Sequence, residues 1–224
     1  GLDAEKTANA IAIAGTAYNA LRVTRTGNLS NWKGLAFPSA AWTSTHSAFL
    51  AMRGITGPQE VFEGNKGFKE TIAGDFKIDW KTENLEKVTE TITKKYHAEI
   101  HSQATLEGIQ DMIMMHHFDP KDISNIVLKT FDVAFNIIGG GEEGAKKNIS
   151  TKEEADHSLP YMMAVLLLDR NVLPAQYLPE RILKEDVQQL LQKVQVNQKK
   201  EYSDRFPKEI ACDITITLNN GTEF

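Results

Sequence analysis

The residue pattern of the chain changes between about residues 75 and 90, and the change restricts the folds that are open to it. Before it, alanine-rich segments predict a buried helix at about Leu2–Leu21 and a second, tightly packing helix at about Phe37–Met52. After it, strand-like runs alternate with helical runs. We therefore predict an α+β fold, with part of an all-helical domain over residues 1–90 and a smaller α+β domain, with a mixed or antiparallel sheet, over residues 91–224.

Local patterns place the individual elements. The strand candidates are FKIDW, ITKKYHAEI, DISNIVLKTFDVAF, KVQVNQ and ACDITITL. The helix candidates cover about residues 104–117, 159–168 and 185–193. The glycines and asparagines of VTRTGNLSNWKG predict a loop that carries Lys33, and Gly54 predicts the end of the second helix.

Composition argues against several classes of function. A net charge of −5 offers no basic surface for nucleic acid, and no apolar run approaches the length of a membrane span. Cys212 is the only cysteine, which excludes an internal disulfide and a cysteine-ligated zinc or iron–sulfur site. A lone thiol fits a reducing compartment, so we predict a cytoplasmic protein. Both ends interrupt a structural pattern, which leads to the hypothesis that the sequence is a fragment of a longer protein.

The stretch KKYHAEIHSQ, residues 94–103, concentrates titratable side chains. As a strand it would place Tyr96, Ala98 and Ile100 on a core face and Lys95, His97, Glu99 and His101 on the opposite face. Ser102 would then cap the following helix. The second face has three interpretations: a row of acid–base groups in a site, a solvated edge strand, or a metal site formed by His97, Glu99 and His101.

A second cluster lies in ADHSLPYMMAVLLLDR. Ser158 is placed to cap a buried helix, with Pro160 in its first turn, so His157, Ser158 and Tyr161 gather at the helix start. This corner could bind an anion and exchange a proton, or it could be a simple cap beside a core tyrosine. Lys33, in SNWKG, could bind a carboxylate, although a lone loop lysine is usually solvated.

Taken together and in order, these segments resemble the MmgE/PrpD family, which includes 2-methylcitrate dehydratases. The segments that carry the resemblance are RTGNLSNWKGLA, GITGPQEVFEGNKGF, KKYHAEIHSQATLEG, ADHSLPYMMAVLLLD and FPKEIACDITITLNNG. The resemblance implies a helical domain and a smaller α+β lid domain. It also implies proton transfer on a small di- or tricarboxylate without metal or organic cofactor, in a protein that is typically a homodimer.

The resemblance also implies a set of site residues. Lys33 falls on the family's loop lysine, Lys94 on a lid lysine of the decarboxylase branch, and His157 and Tyr161 on the HS-x-x-Y motif. Glu99 occupies a position that is a histidine in the decarboxylase branch, which favours the dehydratase branch. The full prediction is His101, His157 and Tyr161 as catalytic groups, and Lys33, Lys94, Lys95, Glu99 and Ser158 as substrate-binding groups.

The predicted reaction is the dehydration of 2-methylcitrate to 2-methyl-cis-aconitate. A related decarboxylase or epimerase and a metal-binding module remain as alternatives. His97 stands where relatives more often have proline, and it has no assigned role. The family's N-terminal motif with an aspartate and a histidine is absent from the sequence, so we expect little activity from this chain alone.

Overall fold

The computed structural model describes residues 1–25, 27, 29–79, 81–84, 86–144 and 146–224. It divides into a helical unit, Gly1–Arg25 with Ser30–Thr91, and an α+β unit, Thr26–Leu29 with Ile92–Phe224. The helices of the helical unit are α1 (Ala4–Ala17) and α2 (Trp32–Met52). Those of the α+β unit are α3 (Gln103–Met115), α4 (Asp132–Ala134), α5 (Lys152–Ala155), α6 (Leu159–Asp169), α7 (Pro179–Ile182), α8 (Glu185–Gln192) and α9 (Lys200–Arg205). Its strands are β1 (Ile123–Thr130), β2 (Val194–Gln198) and β3 (Cys212–Leu218).

In the helical unit, α1 and α2 pack together, as the alanine-rich sequences predict. The helix predicted at about Leu2–Leu21 is confirmed as α1, although it ends at Ala17. Its predicted burial is wrong, because α1 buries Ala10 and Ala12 while most of its residues remain accessible. The connection after α2 approaches α1 closely: the Gly57 N–H donates to the Asn9 side chain at 3.1 Å. Small residues are what allow these backbones to approach.

The second helix differs from its predicted start. The segment Ser30–Gly34 was expected to be a loop, but α2 begins at Trp32, so Lys33 lies in the first turn of a helix. Its predicted end is confirmed, because Gly54 follows the last helical turn with a φ of 85°. A positive φ is a conformation that glycine adopts without strain.

The α+β unit contains, within the described residues, a three-stranded sheet of order β2-β1-β3. β1 pairs with β2 in parallel, with Ile126 opposite Val194, and with β3 antiparallel, with Ile126 opposite Ile216. The predicted mixed sheet is therefore confirmed. α6 contacts α3, α8 and β2, and residues 159–167 of this helix are all buried. A helix that is apolar on every side belongs inside a core.

Two predicted strands are wrong. Residues 92–99 of ITKKYHAEI do not pair with a strand, because their backbone bends and its N–H groups bond elsewhere: Tyr96 to the Gln103 side chain and His97 to the Val172 carbonyl. Residues 76–79 of FKIDW also lack strand structure, and Trp80 lies outside the described residues. Phe76 instead packs its ring edgewise against Phe62.

In the part of the chain that the structure describes, no helix combines the length and apolarity needed to cross a bilayer.

Candidate active site

A cavity of about 580 Å³ lies in the α+β unit. It is lined by residues 94–100, by Lys152, Asp156 and His157, and by Leu173 and Pro174. The two titratable clusters predicted from sequence therefore meet at one cavity, although they are more than 50 residues apart in the chain. The cavity brings together Lys94, Lys95, Glu99 and His157 from the predicted set.

The bent segment that forms one wall is held by Gln103, the first residue of α3. Its Oε1 accepts hydrogen bonds from the backbone N–H of Lys95 at 3.1 Å and of Tyr96 at 3.0 Å, and its Nε2 donates to the Tyr96 carbonyl at 3.3 Å. One amide side chain thus replaces the pairing that a neighbouring strand would give. This organising role was not predicted, although Gln103 belongs to the motif that carries the resemblance.

The two adjacent lysines of this wall differ in how their charge is compensated. Lys95 Nζ contacts both carboxylate oxygens of Glu107 at 2.7 Å, and this hydrogen bond raises the pKa of Lys95. Lys94 Nζ instead donates to the Ala98 carbonyl at 2.9 Å. A carbonyl partner leaves the full ammonium charge in place, so Lys94 is better suited than Lys95 to attract an anion.

The cavity lining also includes an aspartate–histidine pair. Asp156 Oδ1 lies within hydrogen-bond reach of His157 Nδ1, and Asp156 Oδ2 accepts from Lys152 Nζ at 2.5 Å. Burial alone would raise the pKa of Asp156, but the hydrogen bond and charge of His157 and those of Lys152 hold it below its ordinary value. An ionised carboxylate on Nδ1 fixes the orientation of an imidazole and keeps a proton on that nitrogen. The site residues predicted from the sequence did not include Asp156, although its position directly before His157 was a possible indication.

Glu99 connects this pair to the other predicted histidine. Glu99 accepts from the backbone N–H of His101 at 2.7 Å, and its second oxygen lies 2.8 Å from His101 Nδ1. Burial alone would raise the pKa of Glu99, but bonding to His101 and the charges of His101 and His157 lower it. The result is a line of alternating acidic and basic groups from Lys152 to His101, although His101 itself does not line the cavity.

Ser102 does not have the predicted capping role. Its hydroxyl donates to the Glu99 carbonyl at 2.6 Å and makes no cap bond to α3. The Glu99 side chain caps the short 3₁₀ turn Ile100–Ser102 that precedes α3 instead. Because the predicted strand is absent, the chain turns earlier than expected, and the capping position moves back to Glu99.

Ser158 and Tyr161 lie at the start of α6, inside the core. Ser158 caps the helix as predicted, accepting from the Tyr161 N–H at 3.1 Å, and its hydroxyl also donates to the Lys146 carbonyl at 2.6 Å. The Tyr161 hydroxyl donates to the Gln176 carbonyl, and burial raises the pKa of Tyr161. Both side chains are fully buried and both hydroxyls are occupied. A substrate-binding role for Ser158 and a catalytic role for Tyr161 stay predictions, and either would require a change from this arrangement.

His97, which had no assigned role, lines the cavity and places its ring 5.5 Å from that of Tyr177. The metal alternative would gather His97, Glu99 and His101 around one ion. Among the described residues, no group of three or more histidine, cysteine, aspartate or glutamate side chains is arranged to hold a metal. The predicted strand is absent, so the alternation that would align these three donors on one face does not form.

Lys33 belongs to the helical unit, where it is half-buried in the first turn of α2. Its predicted role in binding a carboxylate stays a prediction.

Comparison with known proteins gives matches along the chain. The model of the MmgE/PrpD N-terminal domain matches residues 1–81, and that of the MmgE/PrpD C-terminal domain matches residues 96–224. The mitochondrial 2-methylcitrate dehydratase of Yarrowia lipolytica is 26% identical over 237 residues, which cover 99% of this chain and 44% of the relative. The cis-aconitate decarboxylase of Mus musculus is 25% identical over 208 residues, which cover 86% of this chain and 40% of the relative. The chain thus spans less than half the length of these two relatives.

Proposed function

The chain belongs to the MmgE/PrpD family, and we propose that the whole protein is a lyase that dehydrates 2-methylcitrate to 2-methyl-cis-aconitate. The observation that carries the proposal is the cavity that Lys94 and the Asp156–His157 pair line together. A cation and an oriented imidazole in one cavity are what proton transfer next to a carboxylate requires. The similarity to a 2-methylcitrate dehydratase supports the choice of substrate.

The substrate carries three carboxylates, so its binding needs cations. Lys94 is the first candidate because its ammonium bonds a carbonyl and keeps its charge. Lys33 is proposed as a second cation, on the family resemblance. Ammonium–carboxylate contacts strengthen as water is excluded, so a lid that closes over the substrate would increase their effect.

The reaction removes water without a change in oxidation state. A base takes the proton from the carbon next to a carboxylate, and the hydroxyl on the neighbouring carbon gains a proton and departs as water. We propose His157, oriented by Asp156, as one of the two proton-transfer groups. His101, oriented by Glu99, is proposed as the second on the family resemblance; because it does not line the cavity, this role would require a change from the present arrangement. Both imidazoles contact a carboxylate through Nδ1, so their Nε2 atoms are the ones that would exchange protons with substrate.

A decarboxylase of cis-aconitate is the second candidate, because the similarity to that enzyme is nearly as strong. Glu99 favours the dehydratase, since the decarboxylase branch has a histidine at this position. Incubating the protein with 2-methylcitrate and with cis-aconitate, and following both by NMR, separates the two functions. Loss of carbon dioxide from cis-aconitate without dehydration of 2-methylcitrate would replace the first proposal by the second.

The test uses the full-length protein and follows the absorbance of the conjugated product. We expect a fall of about 100-fold or more in kcat for His157→Ala, in the range of a lost general acid–base group. Lys94→Met should mainly raise KM. The exposed Lys121 serves as the matched control, and Lys121→Met should leave both constants unchanged. Full activity in both Lys33→Ala and His157→Ala would refute these assignments.

We also propose that the protein is a cytoplasmic homodimer, in line with its lone cysteine and the family resemblance. Light scattering of the full-length protein tests the dimer, and fractionation of the source cells tests the location.

A further inference from the structure

Lys152 shares the Asp156 carboxylate with His157 and also lines the cavity. Its ammonium contacts one oxygen of Asp156 while the imidazole contacts the other. The side chain of Lys152 is 43% exposed, whereas that of Asp156 is 14% exposed. The pair therefore joins a partly exposed cation to a carboxylate that is largely buried.

The backbone of Lys152 is anchored by the capping of the first turn of α5. Thr151 and Glu154 form a reciprocal capping box: the Thr151 hydroxyl accepts from the Glu154 N–H at 3.3 Å, and Glu154 Oε2 accepts from the Thr151 N–H at 3.0 Å. Such a box stabilises the first turn of a helix. The backbone of Lys152 is thus fixed at the cavity wall, and its four-carbon side chain provides the freedom to move.

We propose that Lys152 is a carboxylate-binding residue. Its ammonium is paired with Asp156, and a carboxylate that enters the cavity replaces Asp156 as its partner. This inference deepens the proposed function by assigning a further substrate ligand. It concerns binding only, and no covalent step is part of it.

The exchange is favourable for two reasons. The salt bridge that breaks is partly exposed, and such pairs contribute little to stability. Asp156 also keeps a partner when Lys152 leaves, because His157 remains on its other oxygen. The carboxylate is therefore not left buried and unpaired, which is the costly outcome when a buried ion pair loses one member.

Lys95, which lines the same cavity, is held by its carboxylate partner in a different way from Lys152. Both oxygens of Glu107 bind its ammonium, and the Tyr96 hydroxyl donates to the same carboxylate at 2.8 Å. An incoming anion would have to break a two-pronged contact to release Lys95. Of the two lysines that are paired with carboxylates at this cavity, Lys152 contacts one carboxylate oxygen and Lys95 contacts two.

The test measures the binding of tricarballylate, a tricarboxylate without the hydroxyl group that dehydration removes, by calorimetry on the full-length protein. Lys152→Met should weaken binding by about fivefold or more, and Lys152→Arg should restore most of it, because the charge is retained. Asp156→Asn should tighten binding by about two- to fivefold, since the competitor for the ammonium is gone. Lys121→Met is the control and should bind as the wild type does.

The double variant separates release of Lys152 from the general effect of removing a negative charge. If Asp156 acts by holding Lys152, then Asp156→Asn tightens binding in the wild type but not in Lys152→Met. Equal tightening in both backgrounds would overturn the inference, as would unchanged binding in Lys152→Met or a wild type that does not bind tricarballylate. Circular dichroism of each variant identifies any loss of fold, and Lys152→Arg then decides the case.

The binding cycle and the turnover of 2-methylcitrate test two different proposals. If the cycle behaves as expected but the protein does not turn over 2-methylcitrate, the carboxylate site stands and the proposed reaction falls.

Discussion

The buried side chains of the helical unit are small, whereas those of the α+β unit are large and contiguous. Among the described residues of the helical unit, the buried apolar ones are Ala10, Ala12, Ala36, Ala51 and Val61. In the α+β unit one cluster runs from Ala98 to Ile216 and includes nearly every residue of α6. Because the stabilisation from burial scales with the apolar area removed from water, the α+β unit gains more free energy of folding from its core.

The same contrast appears on the surface. α2 exposes large apolar side chains, among them Phe37 at 82%, Trp42 and Phe49. The buried helix α6 has no counterpart to this face. The candidate active site is therefore built on the better-packed unit, where a rigid core can hold the walls of the cavity in place.

Truncation of a core residue gives the largest expected effect. Leu166→Ala, in the centre of α6, should lower the free energy of unfolding by about 2–5 kcal/mol, because it removes a fully buried side chain and leaves a cavity. The exposed counterpart Phe37→Ala should change it by about 0.5 kcal/mol or less. Urea unfolding gives the totals, and hydrogen exchange of peptides from α6 and α2 assigns each loss to its unit. Similar losses in both variants would contradict the contrast between the units.

Addition of a single methyl group should have an intermediate effect, and here the helical unit is the sensitive one. A Cβ at Gly57 would stand 2.6 Å from Ala12 Cβ and 2.8 Å from the backbone nitrogen of Ile13. These atoms cannot move aside without shifting α1, so Gly57→Ala should cost about 1–3 kcal/mol.

The matched control is Gly108→Ala in α3. There the new Cβ would meet only Ile214 Cδ1, at 3.1 Å, and that atom is the end of a flexible side chain. Alanine also favours the helix by about 1 kcal/mol over glycine, so this variant should be neutral or slightly stabilising. Hydrogen exchange in α1 and α3 measures both changes. A tolerated Gly57→Ala would show that the close approach to α1 is not essential to the helical unit.

The sequence predicted the parts of the fold that depend on local pattern and missed those that depend on distant partners. The apolar run of α6 could only be a buried helix, and it is. In residues 96–100 the alternation agreed with the burial of Ala98 and the exposure of His97, but not with Glu99, whose side chain is only 11% exposed. It did not report pairing, because the side chain of Gln103 and the carbonyl of Val172 take the place of a neighbouring strand.

The candidate site was predictable to a similar extent. Sequence interpretation, with Lys94 taken from the family resemblance and His157 from both its residue pattern and that resemblance, selected two residues that line one cavity. It could not separate Lys94 from Lys95, because that difference is made by Glu107, 12 residues further along the chain. It also missed Asp156 and Lys152, whose importance follows from which oxygen each partner contacts.

Acid should have the smallest effect, and it should act on the α+β unit first. Burial opposes ionisation of Glu99, Asp156 and Asp169, yet their ion-pair and hydrogen-bond partners hold all three pKa values below the ordinary 4.5 for glutamate and 3.8 for aspartate. A carboxyl whose pKa is lower in the folded state contributes stability above its unfolded pKa, and this contribution is lost as the pH falls through the folded value. In the helical unit, hydrogen bonds to lysines lower the pKa of Asp3 and that of Glu70. Both carboxyls lie on the surface, where solvent screens their ion pairs.

We therefore expect the α+β unit to lose stability as the pH falls below about 4.5, the unfolded-state value for a glutamate, while the helical unit changes less over the same interval. Urea midpoints between pH 7 and pH 3, with hydrogen exchange read separately in α2 and α6, measure the two responses. Asp156→Asn provides the control: it should lower stability at pH 7 and reduce the further loss on acidification, because one of the three titrating groups is gone. An equal acid response in the two units, or an undiminished one in Asp156→Asn, would mean that the paired carboxylates around the cavity are not what sets the acid sensitivity of this unit.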